Sequence, residues 1–408
     1  MFAGGFTLEA AESACDAEID TLAALVDRSM VRRAGERFDM LETIRDFARE
    51  QLAACADRDV FAGRHATYFE AMAERAYARR SHHEQEGLDE LEREHDNLRA
   101  ALDYLHAEDP CRELRLSGAL GWFWHVRSHY REGRTRLAQA LTAATQPDPW
   151  RARALAAAGE LAAWSGDLDA ARPLIEEAVT LWRAQGQTQE IPFALIDLGW
   201  GCFYAGDPDA RRLMEEGLQL QQAIGDPLLV NRARVGLLQV LVGLGELDLV
   251  EPMAREALSL AEATRDARSE HLAHHFLADC LLIRGDCAGA LPRYRRSLAL
   301  AVEINDRAEI GYEVQGIAMA TAGRGQPELA LRLAGAAAAE FDALAIDLSG
   351  PSFWTALLDR YLGQARSALG GKAADAAWEE GRRTGFEYAV ALALDNDVPS
   401  VPPRQPSL

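Results

Sequence analysis

A turn motif recurs in the middle of the chain at intervals close to 40 residues. The turn glycines, in sequences such as "WSGDLDAA" and "YAGDPDA", are Gly166, Gly206, Gly245, Gly285 and Gly325. Small residues stand seven positions before most of these glycines, at Gly159, Gly199, Ala278 and Ala318, and twelve positions after most of them, at Ala178, Ala257, Ser297 and Ala337. One period earlier, Ser128 takes the turn position between the small residues Gly121 and Ala140. This period predicts helix pairs that stack on one another, since each pair has an apolar face that it cannot bury alone.

The repeat predicts an all-α chain whose main part is a tetratricopeptide-like α-solenoid of six helix pairs over residues 113–347. Glycine at the turn allows a backbone conformation that alanine would strain. The register resembles that of tetratricopeptide repeats, in a long form with about 40 rather than about 34 residues per unit. Leu238 and Leu218 depart from the small-residue rule. We expect residues 348–395 to form a helical cap and the polar, proline-rich tail, residues 396–408, to be disordered.

The first 56 residues have a different pattern. Apolar spacing predicts helices over 7–16 and 19–28, and "MVRR", "AGE" and "RFDML" form a β-hairpin signal. A helix over 42–54 follows. The side chains that we expect to face inward from this helix are Ile44, Phe47, Ala48 and Leu52. Because helix, helix, hairpin, helix is the order of the second half of a winged-helix domain, we interpret residues 1–56 as a small winged-helix (α+β) remnant and residues 57–112 as a helical linker domain.

Charge and cysteine pattern bound the partners and the compartment. A net charge of −21 disfavours contact with a phosphate backbone. Residues 1–56 hold six arginines and eleven acidic residues, a net of −5, so we expect no direct nucleic-acid partner, with DNA binding by the winged helix as the alternative. The six cysteines are scattered without a CxxC pair, which is typical of free thiols in a reducing compartment. No signal-peptide pattern and no apolar run of the ~20 residues that span a membrane are present, so we expect a cytoplasmic protein.

Several segments occur in a characteristic order: "FAGGFTLEAAESAC", "LAALVDRSMV", "FDMLETIRDFAREQL", "RHATYFEAMAE", "EREHDNLRAALDYL" and "REGRTRLAQAL". They resemble the part of bacterial STAND-class signal-transduction ATPases that follows the ATPase domain, as found in LuxR-type and SARP-type transcriptional regulators. The resemblance implies a nucleotide-binding ATPase domain upstream or on a separate chain. It also implies a winged helix that relays nucleotide state, and repeats that sense an inducer or a protein partner.

The nucleotide site of that family is not expected within this chain. A P-loop needs GxxxxGK[ST], and the only lysine, Lys372, lies in "RSALGGKAA". There Arg366 replaces the first glycine and Ala373 replaces the hydroxyl residue. We therefore expect no ATP hydrolysis and no cofactor. Because the chain begins where the family's winged helix is already under way, we interpret it as a fragment of a longer regulator, the product of a split gene, or a degenerate stand-alone protein.

Histidines on one predicted helix are the candidate metal ligands. His271, His275 and Asp279 in "SEHLAHHFLADC" share one stripe, and two imidazoles with a carboxylate can hold zinc. The alternative is that they and His274 line the solenoid surface and bind nothing. We predict no metal site, because one helix rarely supplies three ligands to one ion and no HExxH motif is present. No grouping of serine, cysteine and histidine forms a nucleophile motif, so no enzyme activity is predicted.

The concave groove of the repeats is the predicted binding site. In tetratricopeptide repeats the first helix of each pair lines the concave side. The same register here gives Trp122, His125, Arg153, Glu160, Trp164, Phe193, Trp200, Phe203, Tyr204, Arg232, Gln239, His275, Asp279, Tyr312 and Gln315. The groove-binding set that we predict is Trp164, Trp200, Phe203, Tyr204, Arg232, Gln239, His275 and Asp279. Aromatic residues with a few polar groups are typical of peptide or small-molecule recognition; the alternative is that the aromatics only pack repeat against repeat.

These observations together predict a sensor and protein-interaction module of a STAND-type transcriptional regulator. Its ligand in the groove would be a protein or peptide partner or a small-molecule inducer. Arg232 would favour an anionic group, and His275 beside Asp279 would make the affinity depend on pH. An enzyme with its active site in the groove is the alternative from another class.

Overall fold

The computed structural model of the chain describes residues 1–144, 149–344 and 352–395. These residues pack into two compact units. Unit 1 consists of residues 1–161 with 176–186, and unit 2 consists of residues 162–175 with the described residues from 187 onward. The predicted disordered tail lies outside the described residues, and the predicted division of the chain into five segments stays a prediction.

Unit 1 begins with three short strands and three helices. The strands are β1 Phe6–Thr7, β2 Arg32–Ala34 and β3 Arg37–Asp39, and the helices are α1 Leu8–Cys15, α2 Ile19–Asp27 and α3 Glu42–Ala53. The strands form an antiparallel sheet in the order β1-β3-β2. Phe6 and Phe38 stack at 5.8 Å between ring centroids and pack with Leu22 and Val31 in a small core. The predicted order of helix, helix, hairpin and helix is present, and β1 was missed because two residues are too few to show an alternating pattern.

Helix α3 is less buried than predicted. None of its residues is fully buried, and the side chain of Phe47 is 62% exposed. The half-buried residues of α3 are Ile44, Arg45, Ala48 and Leu52. The inward prediction for Phe47 is therefore wrong: residues four apart share one face of a helix, and Phe47 lies off the line that joins residues 44, 48 and 52.

The rest of unit 1 is helical. Its helices are α4 Arg58–Arg79, α5 Glu84–Arg93, α6 His95–Glu108, α7 Pro110–Val126 and α8 Tyr130–Ala143, followed by segments of α9 Pro149–Trp164 and α10 Leu168–Gln185. Helix α7 begins sharply because the side chain of Asp109 accepts a hydrogen bond from the backbone N–H of Arg112 and Pro110 occupies the first turn.

Unit 2 contains the remaining helices of the described chain. They are α11 Ile191–Tyr204, α12 Asp209–Ile224, α13 Pro227–Gly243, α14 Leu247–Thr264, α15 Ala267–Ile283, α16 Cys287–Ile304, α17 Arg307–Gly323, α18 Pro327–Leu344, α19 Ser352–Leu369, α20 Gly371–Arg383 and α21 Phe386–Leu394. Side-chain caps fix several starts: Asp226, Asp286 and Asp306 accept hydrogen bonds from backbone N–H groups in the first turns of α13, α16 and α17. Consecutive helices pack in pairs, and each pair packs on the next.

Every predicted repeat turn has a left-handed backbone. The φ angles are +59° at Ser128, +79° at Gly166, +70° at Gly206, +75° at Gly245, +85° at Gly285 and +77° at Gly325. Each of these residues stands between the two helices of a pair, so the sequence period and the structural period coincide. The predicted fold class, a tetratricopeptide-like α-solenoid with a small sheet at its N-terminal end, is confirmed.

The predicted small positions are points of close helix contact. Ala257, Ser297 and Ala337 are fully buried. In the pair with the shorter spacing, the position moves by one residue from Leu218 to Gly217. A Cβ atom on Gly217 would lie 2.7 Å from Cγ1 of Ile196, so this helix contact requires glycine.

Candidate functional site

The first helices of four successive pairs, α11, α13, α15 and α17, lie side by side in unit 2. We call the surface that they form the first-helix face. The predicted groove residues of this unit are on these helices, together with Trp164 at the end of α9. The face has two chemically different parts, one aromatic and one charged.

Four aromatic residues form the first part, which we call the aromatic box: Trp164, Trp200, Phe203 and Tyr204. The ring centroids of Trp164 and Trp200 are 5.2 Å apart, and those of Trp164 and Tyr204 are 5.8 Å apart. Trp200 and Tyr204 stack at 6.4 Å. Gln239 donates a hydrogen bond of 3.3 Å from Nε2 to the Tyr204 hydroxyl, and burial raises the pKa of Tyr204. The structure therefore brings together five of the eight predicted residues.

Helix α19 covers this face with the two aromatic residues at its start. The Phe353 ring lies 6.0 Å from the Phe203 ring. Trp354 is buried, donates a 2.9 Å hydrogen bond from Nε1 to Oε1 of Gln315, and lies 5.5 Å from the His275 ring. The chain's own helix thus occupies the surface that was predicted to bind a partner.

Little space remains beneath α19. The cavity between it and the first-helix face has a volume of about 20 Å³, enough for one water molecule. Its lining includes four predicted residues, Trp200, Tyr204, Gln239 and His275. A small-molecule inducer does not fit in this space while α19 is in place.

Arg232, the predicted receptor for an anion, already has a carboxylate partner. Its Nη2 and Nε atoms lie 2.9 Å and 3.2 Å from the two carboxylate oxygens of Asp266. Burial acts to raise the pKa of Asp266, but the guanidinium outweighs it and lowers that pKa. The predicted anion-binding role of Arg232 therefore requires this pair to open.

The second part of the face is buried and charged. We call His271, His275, Asp279, Glu309 and Glu313 the histidine–glutamate cluster. His275 Nδ1 is 2.6 Å from Glu313 Oε1, and His271 Nε2 is 3.4 Å from Glu309 Oε2. Asp279 Oδ1 accepts a 2.6 Å hydrogen bond from the Tyr294 hydroxyl on α16.

The histidines of α15 do not line a solvent-exposed surface. His271, His274 and His275 are all buried, so the interpretation of a surface stripe is wrong. These histidines are buried because α17, the first helix of the next repeat, packs against α15. Its glutamates contact His271 and His275, and the sequence of α15 alone does not reveal them. Asp279 points between α15 and α16 and is fully buried, which removes it from any groove surface.

Burial and charge pairing act in opposite directions in this cluster. Burial acts to lower the pKa of His275, but the carboxylates of Asp279 and Glu313 outweigh it and raise the pKa to about 10. Burial raises the pKa of Asp279 to about 6, against the pull of His275. The neighbouring carboxylates therefore favour the protonated form of His275 over the neutral form that burial alone would favour.

Sequence reasoning missed Glu309, Glu313, Phe353 and Trp354. A signal for the glutamates exists: His271 and His275 are four residues apart, and so are Glu309 and Glu313, with 38 residues between each histidine and its glutamate. That separation is close to one repeat, so the two pairs fall on neighbouring first helices. No comparable signal identifies the two aromatics of α19, since their position depends on how the last helices fold back.

Three of the four predicted groove positions that lie in unit 1, all but Trp122, are engaged in ion pairs. His125 Nδ1 is 2.5 Å from Glu160 Oε1. The Arg153 guanidinium pairs with Glu74 and lies 4.6 Å from the ring centroid of Tyr77. These contacts tie the helices of unit 1 to one another.

The comparisons with known proteins connect the chain to regulators. No protein-family model matches it. HTH-type transcriptional regulators of Mycobacterium bovis and Mycobacterium tuberculosis are 28% identical to it over 349 residues. The match covers 70% of this chain but 39% of each relative, so the chain spans about two fifths of their length.

Two solved structures are similar in fold. A Rap protein in complex with competence and sporulation factor has a TM-score of 0.59 and 12% identity, over 86% of this chain and 93% of that one. A STAND protein with a tetratricopeptide repeat sensor from Pyrococcus horikoshii matches over 96% of this chain and 62% of that one, with a TM-score of 0.44 and 12% identity. The likeness to the Rap protein supports the helical repeat fold. Within the described residues, no helix is both long and apolar enough to cross a membrane.

Proposed function

We propose that this chain is a sensor and protein-interaction module of a STAND-type transcriptional regulator, and that it recognises its partner through the first-helix face of unit 2. The observation that carries the proposal is the docking of Phe353 and Trp354 on that face. A face that receives a helix of its own chain in this way has the apolar anchoring sites and the hydrogen-bond acceptor that a partner helix would use.

The comparisons support a regulatory role. The mycobacterial relatives are described as transcriptional regulators, and the Rap protein of similar fold is in complex with competence and sporulation factor. In this proposal, a nucleotide-binding ATPase domain lies upstream or on a separate chain, and the repeats report partner binding to it. The chain itself contributes recognition and not ATP hydrolysis.

The dimensions of the site favour a protein segment over a small inducer. Small-molecule pockets have volumes of roughly 300–1,000 Å³, whereas the cavity beneath α19 measures about 20 Å³. A partner segment with aromatic anchors would replace Phe353 and Trp354 on the first-helix face. Binding would then be coupled to the release of the start of α19.

The test uses a fluorescein-labelled peptide of residues 352–369 and the full-length chain. The double variant Phe353→Ala/Trp354→Ala vacates the face, and we expect it to bind the peptide, whereas the wild-type chain is already occupied and binds it at least about tenfold more weakly. Adding Trp200→Ala to the double variant removes an aromatic anchor, which commonly costs 2 kcal/mol or more, so the affinity should fall about 30-fold. Leu249→Ala, at an exposed position on α14, is the matched control and should leave the affinity unchanged.

The same assay reports on the partner. A nucleotide-binding STAND domain from the same genome should displace the peptide from the double variant. If the peptide binds the double variant equally well with and without Trp200→Ala, and circular dichroism shows that both are folded, the first-helix face is not the recognition surface.

A further inference from the structure

Two pairs of metal-ligand side chains face each other across neighbouring first helices. His271 and His275 stand one turn apart on α15, and Glu309 and Glu313 stand one turn apart on α17. One donor atom from each of His271, Glu309 and Glu313 lies within 4.8 Å of the other two. His271 Nε2 and Glu309 Oε2, at 3.4 Å, already have about the separation of two ligands on one tetrahedral zinc ion, given ligand bonds of roughly 2.0–2.2 Å.

One ring nitrogen of each histidine, Nδ1 of His271 and Nε2 of His275, contacts a group other than the two glutamates. We call these two atoms the outer nitrogens. His271 Nδ1, the nitrogen that does not contact Glu309, is 2.6 Å from the hydroxyl oxygen of Ser297 and 3.2 Å from the Ser297 backbone carbonyl. The same atom lies 3.7 Å from Glu313 Oε1. His275 Nε2 is 3.5 Å from Asp279 Oδ2, and Asp279 is itself held by the Tyr294 hydroxyl. Histidines that bind metals almost always have the second ring nitrogen fixed in this way, by a carboxylate or a backbone carbonyl.

One carboxylate oxygen of the cluster, on Glu313, lacks a compensating group among the described residues. Glu313 is fully buried, and among the described residues its Oε2 atom has no hydrogen-bond partner. Three acidic side chains, Asp279, Glu309 and Glu313, share this interior with two imidazoles, and the contacts with His271 are the largest of those that compensate Glu309. A buried carboxylate oxygen without a partner is costly, and coordination to a cation removes that cost.

We propose that His271, Glu309 and Glu313 bind a divalent transition-metal ion, with Zn²⁺ as the best match to one imidazole and two carboxylates. His275, which contacts Glu313, is the candidate for the fourth ligand. The ligands come from two successive repeats, so the ion would hold α15 to α17 directly beside the surface that α19 covers. This arrangement removes the sequence-based objection that one helix rarely supplies three ligands, because α17 supplies two of them. The proposal does not depend on the proposed function.

The test is zinc binding by full-length, tag-free protein after treatment with a chelator. Isothermal titration calorimetry with ZnCl₂ should show one tight equivalent, and Co²⁺ in its place should give visible d–d absorption with the intensity of a tetrahedral site. Glu313→Gln and His271→Ala should each weaken binding at least about 100-fold. Ser297→Ala, which frees the outer nitrogen of His271, should weaken it about 10–100-fold, the usual effect of losing such a supporting contact.

Two matched controls separate this site from other groups in the described chain. His274→Ala alters a group formed with Glu262 and Glu270, and His129→Ala alters one formed with Glu92 and His95; both variants should bind zinc as the wild type does. Glu313→Gln is nearly isosteric, and circular dichroism of its metal-free form checks that it is folded. The proposal is overturned if the wild type takes up no stoichiometric zinc, if folded Glu313→Gln binds as tightly as the wild type, or if either control abolishes the tight equivalent.

Discussion

The aromatic box and the histidine–glutamate cluster occupy the same first-helix face, yet their chemistry is opposite. Six residues before successive turn glycines stand Trp200, Gln239 and Asp279, so one register position carries an indole, an amide and a carboxylate. The turn backbone of the repeat is constant, and the side chain alone sets the chemistry at this register position. Burial of apolar rings stabilises the aromatic box. The histidine–glutamate cluster is stable only if each buried charged group has a partner of opposite charge.

Trp354 packs against His275 of the cluster, beside Phe353, which packs on the aromatic box. Its removal is expected to have the largest effect. Trp354→Ala leaves a cavity, which costs about 3–5 kcal/mol for a buried tryptophan, and takes the donor from the buried Gln315 amide. We expect a loss of about 5 kcal/mol in the free energy of unfolding, measured by urea denaturation. Trp354→Phe keeps most of the packing and should lose less than half as much; equal losses in the two variants would show that packing is not the main contribution.

Removing one carboxylate tests whether the cluster depends on pairing. In metal-free protein, Glu313→Leu removes the carboxylate that lies 2.6 Å from the buried His275 ring and helps to raise its pKa. Breaking a buried pair costs about 3–5 kcal/mol. Glu303→Leu, at an exposed position on α16, should change stability by less than about 0.5 kcal/mol. A loss below 1 kcal/mol for Glu313→Leu would mean that the cluster is as insensitive to charge as the aromatic box.

His65 in unit 1 shows the effect of burial without charge pairing, because no carboxylate contributes to its pKa. Burial, with a smaller contribution from the α-amino group of Met1, outweighs the hydrogen bond to Asn97 and lowers the pKa of His65 to about 4. A lowered histidine pKa means that the unfolded chain takes up a proton near pH 6.5 that the folded chain refuses until about pH 4. Stability should therefore fall between pH 6.5 and pH 4, by about 3 kcal/mol from this group, and no further below pH 4.

The measurement for His65 is the unfolding free energy of wild type and His65→Gln across that pH range. The difference between the two curves should change by about 3 kcal/mol from pH 7 to pH 4. His83→Gln, at an exposed position, should give a curve parallel to that of the wild type. Parallel curves for His65→Gln would show that His65 is solvated in the folded protein.

A neutral hydrogen bond in the aromatic box should matter far less than the charged pairs. Tyr204→Phe keeps the ring contacts with Trp164 and Trp200 and removes the acceptor of the Gln239 amide. We expect a loss of about 1 kcal/mol. The loss should be smaller in Tyr204→Phe/Gln239→Leu relative to Gln239→Leu alone, where the hydroxyl keeps only its hydrogen bond with Tyr312. A double-mutant cycle by urea denaturation measures both quantities.

The contrast also explains what could be predicted from the sequence. The turns were predictable because glycine at positive φ is a local requirement that recurs at Gly166, Gly206 and the later turns. The stripe of His271, His275 and Asp279 was visible for the same reason, since helical spacing is local. The partners of that stripe were not predicted, because the contact of Glu313 with His275 needs the packing of two repeats.

Contacts between residues far apart in the sequence could not be predicted for the same reason. The contact between Arg232 and Asp266 spans 34 residues, and Phe353 reaches Phe203 across three repeats. Composition and spacing favour an aromatic groove but carry no information on which helix of the same chain covers it.

The smallest predicted effect concerns the constant part of the repeat, the turn. Ser128 has the same left-handed backbone as the turn glycines, with φ of +59°, and a side chain with a Cβ atom is strained there by roughly 1–2 kcal/mol. Among the described residues its hydroxyl has no hydrogen-bond partner, so Ser128→Gly removes strain and loses no side-chain hydrogen bond. The extra freedom of glycine in the unfolded chain offsets about 0.4–1 kcal/mol, which leaves an expected gain of about 0.5–1 kcal/mol in urea denaturation. The reciprocal change Gly166→Ser, at φ of +79°, should lower the free energy of unfolding by about as much. If it does not, the turn tolerates a side chain, and glycine at these positions is not what keeps the backbone of the repeat constant.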